Sequence, residues 1–262
     1  MSLVLRGYLV YIFLPMIIKK KQLLAFKKIG MIEIKNFLDK KEVKFYNREI
    51  QRLSKSKNKK VAKYYQQNYL GTKNDLFRIE HFFEISKKMR RLINSSKVKK
   101  IVNLLSGKKT ILFKEKINIK PPFSREDRLH QDVQADWLKY SNNFVTFLVS
   151  LVDTDKKNGN LVFDISGKNK SKILGDIFKV LKTSKLSAPN FQNFPLKAGD
   201  AIFFNGYIPH KSAKNKTHKS RKQLYITYCV PKITETREKY FLEKFNNCPP
   251  NQRNNSKFVF KI

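Results

Sequence analysis

The residues of this chain best placed to do chemistry are His130 and Asp132, in the stretch LHQDVQADW over Leu129–Trp137, and His210 far downstream. Read as a strand, this stretch puts residues i and i+2 on one face, so an imidazole and a carboxylate project side by side. A second imidazole returning from a distant strand would complete a 2-His-1-carboxylate facial triad, the ligand set of non-haem Fe(II) oxygenases. His-x-Asp alone also arises as an ordinary surface pair or turn. The setting of His210 adds weight: AGDAIFFNGYIPH places one turn at Gly199-Asp200 and another at Asn205-Gly206. Arg221 follows eleven positions after His210, at the mouth of the next apolar stretch. A cation there suits a dicarboxylate bound to the metal, because a guanidinium meets a carboxylate with two parallel hydrogen bonds.

Strands and helices must carry these residues. Met31–Ile34 has strand character, and Asn36–Asp39 reads as a turn with a helix cap, leading into a charged helix through Leu53. Ser54–Lys63 is a polar, Lys-dense loop or helix end. Two helical patterns follow over Asn74–Asn103, with His81 inside the first, a packing or surface histidine rather than a ligand. After Ser106-Gly107 the period changes to two. Strands are expected at Thr110–Phe113, Lys116–Ile119, Asn143–Val152, Asn160–Ile165, Ala201–Phe204, Tyr207–Lys211 and Gln223–Pro231, with Asn158-Gly159 as a hairpin turn. Ile173–Asn193 interrupts the series as a long polar insertion of the kind that forms lids, with a helix possible at Ile173–Leu181. Glu235–Phe245 reads as a helix and Pro249–Ile262 as a tail. Short strands at regular spacing, preceded by helices, point to a mainly β fold with packed helices (α+β), closed or double-sheeted.

The 262 residues suit one domain, and 41% hydrophobic with 13% aromatic residues suffice for a core. Residues 1–22 read as an extension, 23–235 as the domain and 236–262 as a C-terminal helix and tail. The apolar run Tyr8–Ile18 is broken by Pro15 and too short to span a bilayer, which takes about 20 residues, so stable membrane insertion is not expected. Its strongest charge follows the apolar run, unlike a signal peptide. Cys229 and Cys248 are too few for a disulfide framework, which favours a reducing, cytoplasmic setting.

The formal net charge is +36, carried mostly by scattered Lys. Base and phosphate recognition generally favours the Arg fork, so the charge argues less for nucleic acid than for biased residue usage or a positive cleft for a small anion. A basic nucleic-acid- or polyanion-binding protein on the same scaffold, its metal site vestigial, is the alternative from another class. The Lys-rich KNKTHKS loop makes His218 solvent-exposed. Nothing in the sequence bears on oligomeric state.

The order HQD, NGNLVFDISGK, KAGDAIFFNGYIPHKSAKN and then Arg221 resembles the phytanoyl-CoA dioxygenase family of Fe(II)- and 2-oxoglutarate-dependent oxygenases. The likeness begins at AFKKIGMIEIKNFL, runs through FKEKINIKPP and covers roughly residues 24 to 232. It implies a double-stranded β-helix, the cupin-like jelly roll, with an N-terminal helical layer. It implies Fe(II) on His130, Asp132 and His210, 2-oxoglutarate as co-substrate with Arg221 on its distal carboxylate, and O2 as oxidant. Ser212 matches a family position bonding the same carboxylate, Asn118 resembles a co-substrate amide, and Lys114 stands at a neighbouring position. Gln131, Trp137 and Lys120 are expected on the substrate side, although Asn118 beside Pro121, Lys114 and Trp137 each also fit an ordinary structural or solvated role. Related halogenases lack the carboxylate ligand, so Asp132 implies hydroxylation of an unactivated C–H bond in a small organic substrate. The chain departs from the family at Gly167-Lys168-Asn169, where a serine and histidine are usual; that is a loop, not a ligand.

Overall fold

A computed structural model of the chain describes residues 18–72 and 74–251, with residues 4–5 and 8–9 by backbone alone. In chain order the elements are β1 (Val4–Leu5), β2 (Tyr8–Leu9), α1 (Lys20–Ile29), β3 (Met31–Ile34), α2 (Lys40–Lys55), β4 (Ala62–Gln67), β5 (Asn74–Glu80), α3 (Lys87–Ile93) and α4 (Ser96–Ser106). Then come β6 (Ile111–Lys120), β7 (Asp127–His130), β8 (Phe144–Ser150), β9 (Leu161–Asp164), β10 (Phe191–Phe194), β11 (Ala201–Asn205), β12 (His210–Ser212), β13 (Arg221–Cys229) and α5 (Thr236–Asn247).

Two antiparallel sheets form the jelly roll expected from the sequence. The larger runs β3-β11-β8-β13-β6-β5-β4 and the smaller β10-β9-β12-β7. Alternation assigns the faces of the large sheet. Phe147, Val149, Phe203 and Ile226 point outward into a core shared with the helices, including Ile50, Leu53, Ile101 and Val102. Leu148, Ile202 and Phe204 point inward and meet Leu161 and Phe163 of the small sheet. The strand β8 is therefore buried on both faces, and every one of its residues is apolar or small. The helical layer is well terminated. Asp39 caps α2 by accepting from Glu42 N at 2.8 Å while Glu42 accepts from Asp39 N at 2.9 Å. Gly30 ends α1 at φ +86°, its N–H donating to Phe26 O at 2.8 Å.

Several elements differ from the sequence reading. Asn74–Glu80 is strand β5, not a helix: its edge pairs with β6, Ile79 opposite Ile117, and that pairing outweighs a helical spacing of apolar residues. Strand β4, in the Lys-rich region, pairs in turn with β5. The two short strands expected at Thr110–Phe113 and Lys116–Ile119 are one, β6. Asn158-Gly159 does turn, with Gly159 at φ +83°, but β8 and β9 enter different sheets and make no hairpin. No helix forms at Ile173–Leu181; the insertion is irregular up to a 3-10 turn at Thr183–Lys185. Of the apolar run Tyr8–Ile18, Ile18 is buried in the core, and the rest lies outside the described residues apart from the backbone of Tyr8–Leu9, as does the tail beyond residue 251. Among the described residues no helix is long and apolar enough to cross a membrane.

Candidate metal centre and cavity

His130 closes β7, and Asp132 opens a 3-10 turn over Asp132–Ala135, so the two do not share a strand face as the alternation argument assumed. The chain turns between them and still brings both side chains together. His210 begins β12 and pairs directly with His130 across the β7–β12 ladder. Donor atoms of His130, Asp132 and His210 lie within 4.8 Å of one another, the one group of three or more potential metal-ligating side chains among the described residues. His130 Nδ1 meets Arg128 O at 2.6 Å, and His210 Nδ1 meets Ile208 O at 3.0 Å. A carbonyl only accepts, so each Nδ1 carries the proton and each Nε2 is left as a lone-pair donor. Burial, and then the His210 ring, push His130 down to about 4, which keeps the ring neutral and ready to ligate. Burial works against the charge of Asp132, but Lys116, with Nζ 4.0 Å from its Oδ1, and the two imidazoles hold it below the usual carboxylate range. Two neutral imidazoles and one carboxylate on one side of a cavity fit Fe(II) and leave further coordination positions open.

The cavity measures about 550 Å3. Along its wall runs β6: Lys114, Lys116 and Asn118 line the cavity from one strand face, and Lys120 follows on that face beyond the lining. In register with β13 these face Thr227, Tyr225, Gln223 and Arg221. Behind the lining residue Asp127, Lys120 Nζ donates to Ser212 Oγ at 2.8 Å and to Asp127 Oδ2 at 3.0 Å, and Ser212 Oγ donates to the same Asp127 oxygen. Arg221, 1% exposed, donates to Gly159 O and leaves its Nε without a partner. Burial resists the charge on Asp127, yet Lys120 and Arg221 hold it well below the usual range; burial lowers Lys120 to about 8 against the pull of Asp127. Asn118 lines the cavity with Oδ1 unpartnered.

Lys114 sits at the other end, six residues from Lys120 and so about 20 Å along the strand. There its Nζ donates to Tyr240 Oη at 2.9 Å and lies 4.8 Å from the centre of the Trp137 ring. Lys120, expected on the substrate side, thus pairs in register with Arg221, and Lys114, expected near the co-substrate, hydrogen-bonds Tyr240. Gln131 is not a lining residue. It is fully buried, with Nε2 donating to Lys172 O at 2.9 Å and Oε1 accepting from Leu174 N at 2.8 Å, so it pins the insertion. Trp137 does line the cavity. His81 packs at a tilt against Phe241, and His218 is exposed, packing edge-on to Phe123.

The sequence reading did not single out Asp127, Lys116, Tyr225 or Tyr240. For Lys116 a signal was present, since a cation inside a long apolar strand must face a cavity or a partner. Tyr240 carried none, because α5 reaches the cavity only through its packing on β6. That packing is fixed by Arg237, which clamps buried Glu115 of β6, with Nη2 2.9 Å from Oε1, and by Lys244, which pairs with buried Glu80 of β5. From the insertion, Ile177, Phe178 and Lys179 complete the rim.

A jelly roll that brings two histidines and an aspartate to the mouth of such a cavity belongs to the class of non-haem iron oxygenases. Within that class, the family description "Phytanoyl-CoA dioxygenase (PhyH)" matches residues 26–223, and the chain belongs to that family. It is an Fe(II)- and 2-oxoglutarate-dependent dioxygenase, and the alternative of a binding scaffold with a vestigial metal site finds no support. Among similar proteins is a methylphosphonate hydroxylase of Gimesia maris, 27% identical over 85% of each chain. Another is a 2-aminoethylphosphonate dioxygenase of an uncultured bacterium, 28% identical over 88% of this chain and 89% of that one. In fold the chain resembles EctD from S. alaskensis, solved with 2-oxoglutarate and 5-hydroxyectoine, with a TM-score of 0.70 at 20% identity over 82% of this chain and 77% of that one.

Proposed function

We propose that this dioxygenase hydroxylates a C–H bond of a small organic anion, a phosphonate in the first instance. The observation that carries the reading is the cavity itself, which joins the His130–Asp132–His210 cluster to a wall bearing Arg78, Lys114, Lys116 and Lys244. The names of the two phosphonate-acting relatives support the same substrate class.

In this reading His130, Asp132 and His210 hold Fe(II). Bound there with 2-oxoglutarate and O2, iron supplies an oxidant able to take hydrogen from an unactivated carbon; one oxygen atom ends in succinate, with loss of carbon dioxide, and the other in the substrate hydroxyl. The chain's own groups orient and enclose. Arg221, Ser212 and Lys120 receive the distal carboxylate of 2-oxoglutarate, taking over the hydrogen bonds that Asp127 accepts in its absence. Asn118, which shares a side-chain hydrogen bond with Tyr225 and keeps Oδ1 unpartnered, lines the cavity on the co-substrate side. Tyr225, fully buried beside Lys116, closes the back of the cavity. Ile177 and Phe178 exclude water at the rim.

The catalytic unit proposed here runs from residue 23 through α5, since α5 supplies cavity wall. A reducing, cytoplasmic setting agrees with two free cysteines, Cys229 buried and Cys248 half-buried. The test is substrate-stimulated 2-oxoglutarate turnover with methylphosphonate and 2-aminoethylphosphonate, followed as succinate and as a product heavier by one oxygen atom. Absence of stimulation by any phosphonate sinks the assignment.

A further inference from the structure

The end of the cavity remote from Arg221 gathers hydrogen-bond donors without an acceptor to match. Lys114 is 4% exposed and makes no ion pair within 4 Å of a described carboxylate; the charge of Glu80 reaches it, but Glu80 is itself paired with Lys244 and Arg78. Its hydrogen bond goes to Tyr240 Oη, which leaves the phenol proton available to a ligand, and Tyr240 lines the cavity. Trp137 Nε1 is buried, lines the same space and has no partner. A lysine amine, a phenol and an indole N–H that line one enclosed space suit an oxyanion, because buried donors without acceptors are costly unless a ligand satisfies them.

Resting on the phosphonate reading above, we infer that Lys114, Tyr240 and Trp137 form the subsite for the substrate's phosphonate group, with α5 as the element that completes it. The inference separates two anion sites along one strand. Lys120, with Arg221, takes the co-substrate at one end of β6; Lys114 takes the substrate at the other; Lys116, beside Asp132, marks the metal between them. A phosphonate at Lys114 therefore directs its carbon chain back toward the His130–Asp132–His210 cluster, which selects the carbon to be oxidised. Burial, and then neighbouring Lys244, hold Lys114 well below the ordinary lysine range against the opposing pull of Glu80, and a bound dianion adds to that pull.

Trp137 is the sole tryptophan of the chain and reports directly on the subsite. The experiment is titration of the anaerobic Fe(II)- and 2-oxoglutarate-loaded protein with methylphosphonate, followed by Trp137 emission. A saturable change is expected, with affinity weakened about tenfold or more in Lys114→Met and several-fold in Tyr240→Phe, while 2-oxoglutarate affinity moves less than about twofold. Lys114→Met retains the aliphatic stem and Tyr240→Phe removes one oxygen atom, and thermal melts of both separate lost binding from lost folding. The inference is overturned if both variants bind methylphosphonate as wild type does, if the loss falls on 2-oxoglutarate instead, or if neither methylphosphonate, 2-aminoethylphosphonate nor inorganic phosphate perturbs Trp137. Lys114-dependent binding without hydroxylated product upholds the subsite and counts against the proposed reaction alone.

Discussion

His130 and His210 stand opposite each other across the β7–β12 ladder with ring centroids 4.3 Å apart, and each meets the backbone carbonyl two residues before it through Nδ1. The two strands thus deliver both imidazoles in the same tautomer before any metal arrives. His210→Ala and Asp132→Ala are each expected to abolish Fe(II)-dependent succinate formation while leaving the melting temperature of the metal-free protein within a few degrees of wild type. Iron content after reconstitution, measured beside activity, checks that the loss lies in ligation.

At the far end of β6, Arg221 is buried with one guanidinium nitrogen unpartnered. Arg221→Gln removes a charge that bidentate pairing with a carboxylate requires. The KM for 2-oxoglutarate should rise by roughly tenfold to a hundredfold, with a much smaller change in the KM for the phosphonate. A variant Ser212→Ala should show the same selectivity to a lesser degree. Equal effects on both substrates would contradict the division of the cavity.

The clamp between Arg237 and Glu115 ties α5 to the barrel and, through α5, places Tyr240. Glu115 is fully buried, so Arg237→Ala strands its charge, a loss on the order of 3–5 kcal/mol. Denaturant unfolding should show that loss, and the surviving folded protein should bind methylphosphonate more weakly. Removing both charges with Glu115→Gln and Arg237→Ala together should recover part of the stability.

Protonation sets a further expectation. His130 titrates at about 4 in the fold, against about 6.5 for an ordinary histidine. Between those values the unfolded chain binds a proton that the native chain does not, so the metal-free protein gains stability as pH rises through this window and loses it as pH falls. Melting temperatures of the metal-free protein at pH 7 and pH 5 should differ more for wild type than for His130→Gln. Equal slopes would show that His130 carries no such linkage.

The chemistry of this chain was more legible than its geometry. Histidine, aspartate and arginine in a fixed order are read from residue types, because few arrangements of those side chains serve one metal and one dicarboxylate. Capping at Asp39 and the short, mostly apolar runs of β8, β11 and β13 are local signals, and those elements were legible too. Asn74–Glu80 was not, since its apolar spacing fits a helix and only the partner strand β6 decides the matter. The placing of Lys114 and Lys120 has the same origin. Both lysines lie on one face of one strand, and which of them stands beside Arg221 depends on a register across a hundred residues. Likewise, nothing local in Thr236–Asn247 says that its Tyr240 bonds to a lysine in β6.

The most direct test of the central claim is the stoichiometry of succinate to oxygenated product with methylphosphonate and 2-aminoethylphosphonate, in wild type and in Asp132→Ala. One succinate per hydroxylated phosphonate in wild type, with neither formed by the variant, is the predicted result. Succinate formation that persists in Asp132→Ala, or wild-type protein that turns over 2-oxoglutarate only when iron is omitted, would contradict it.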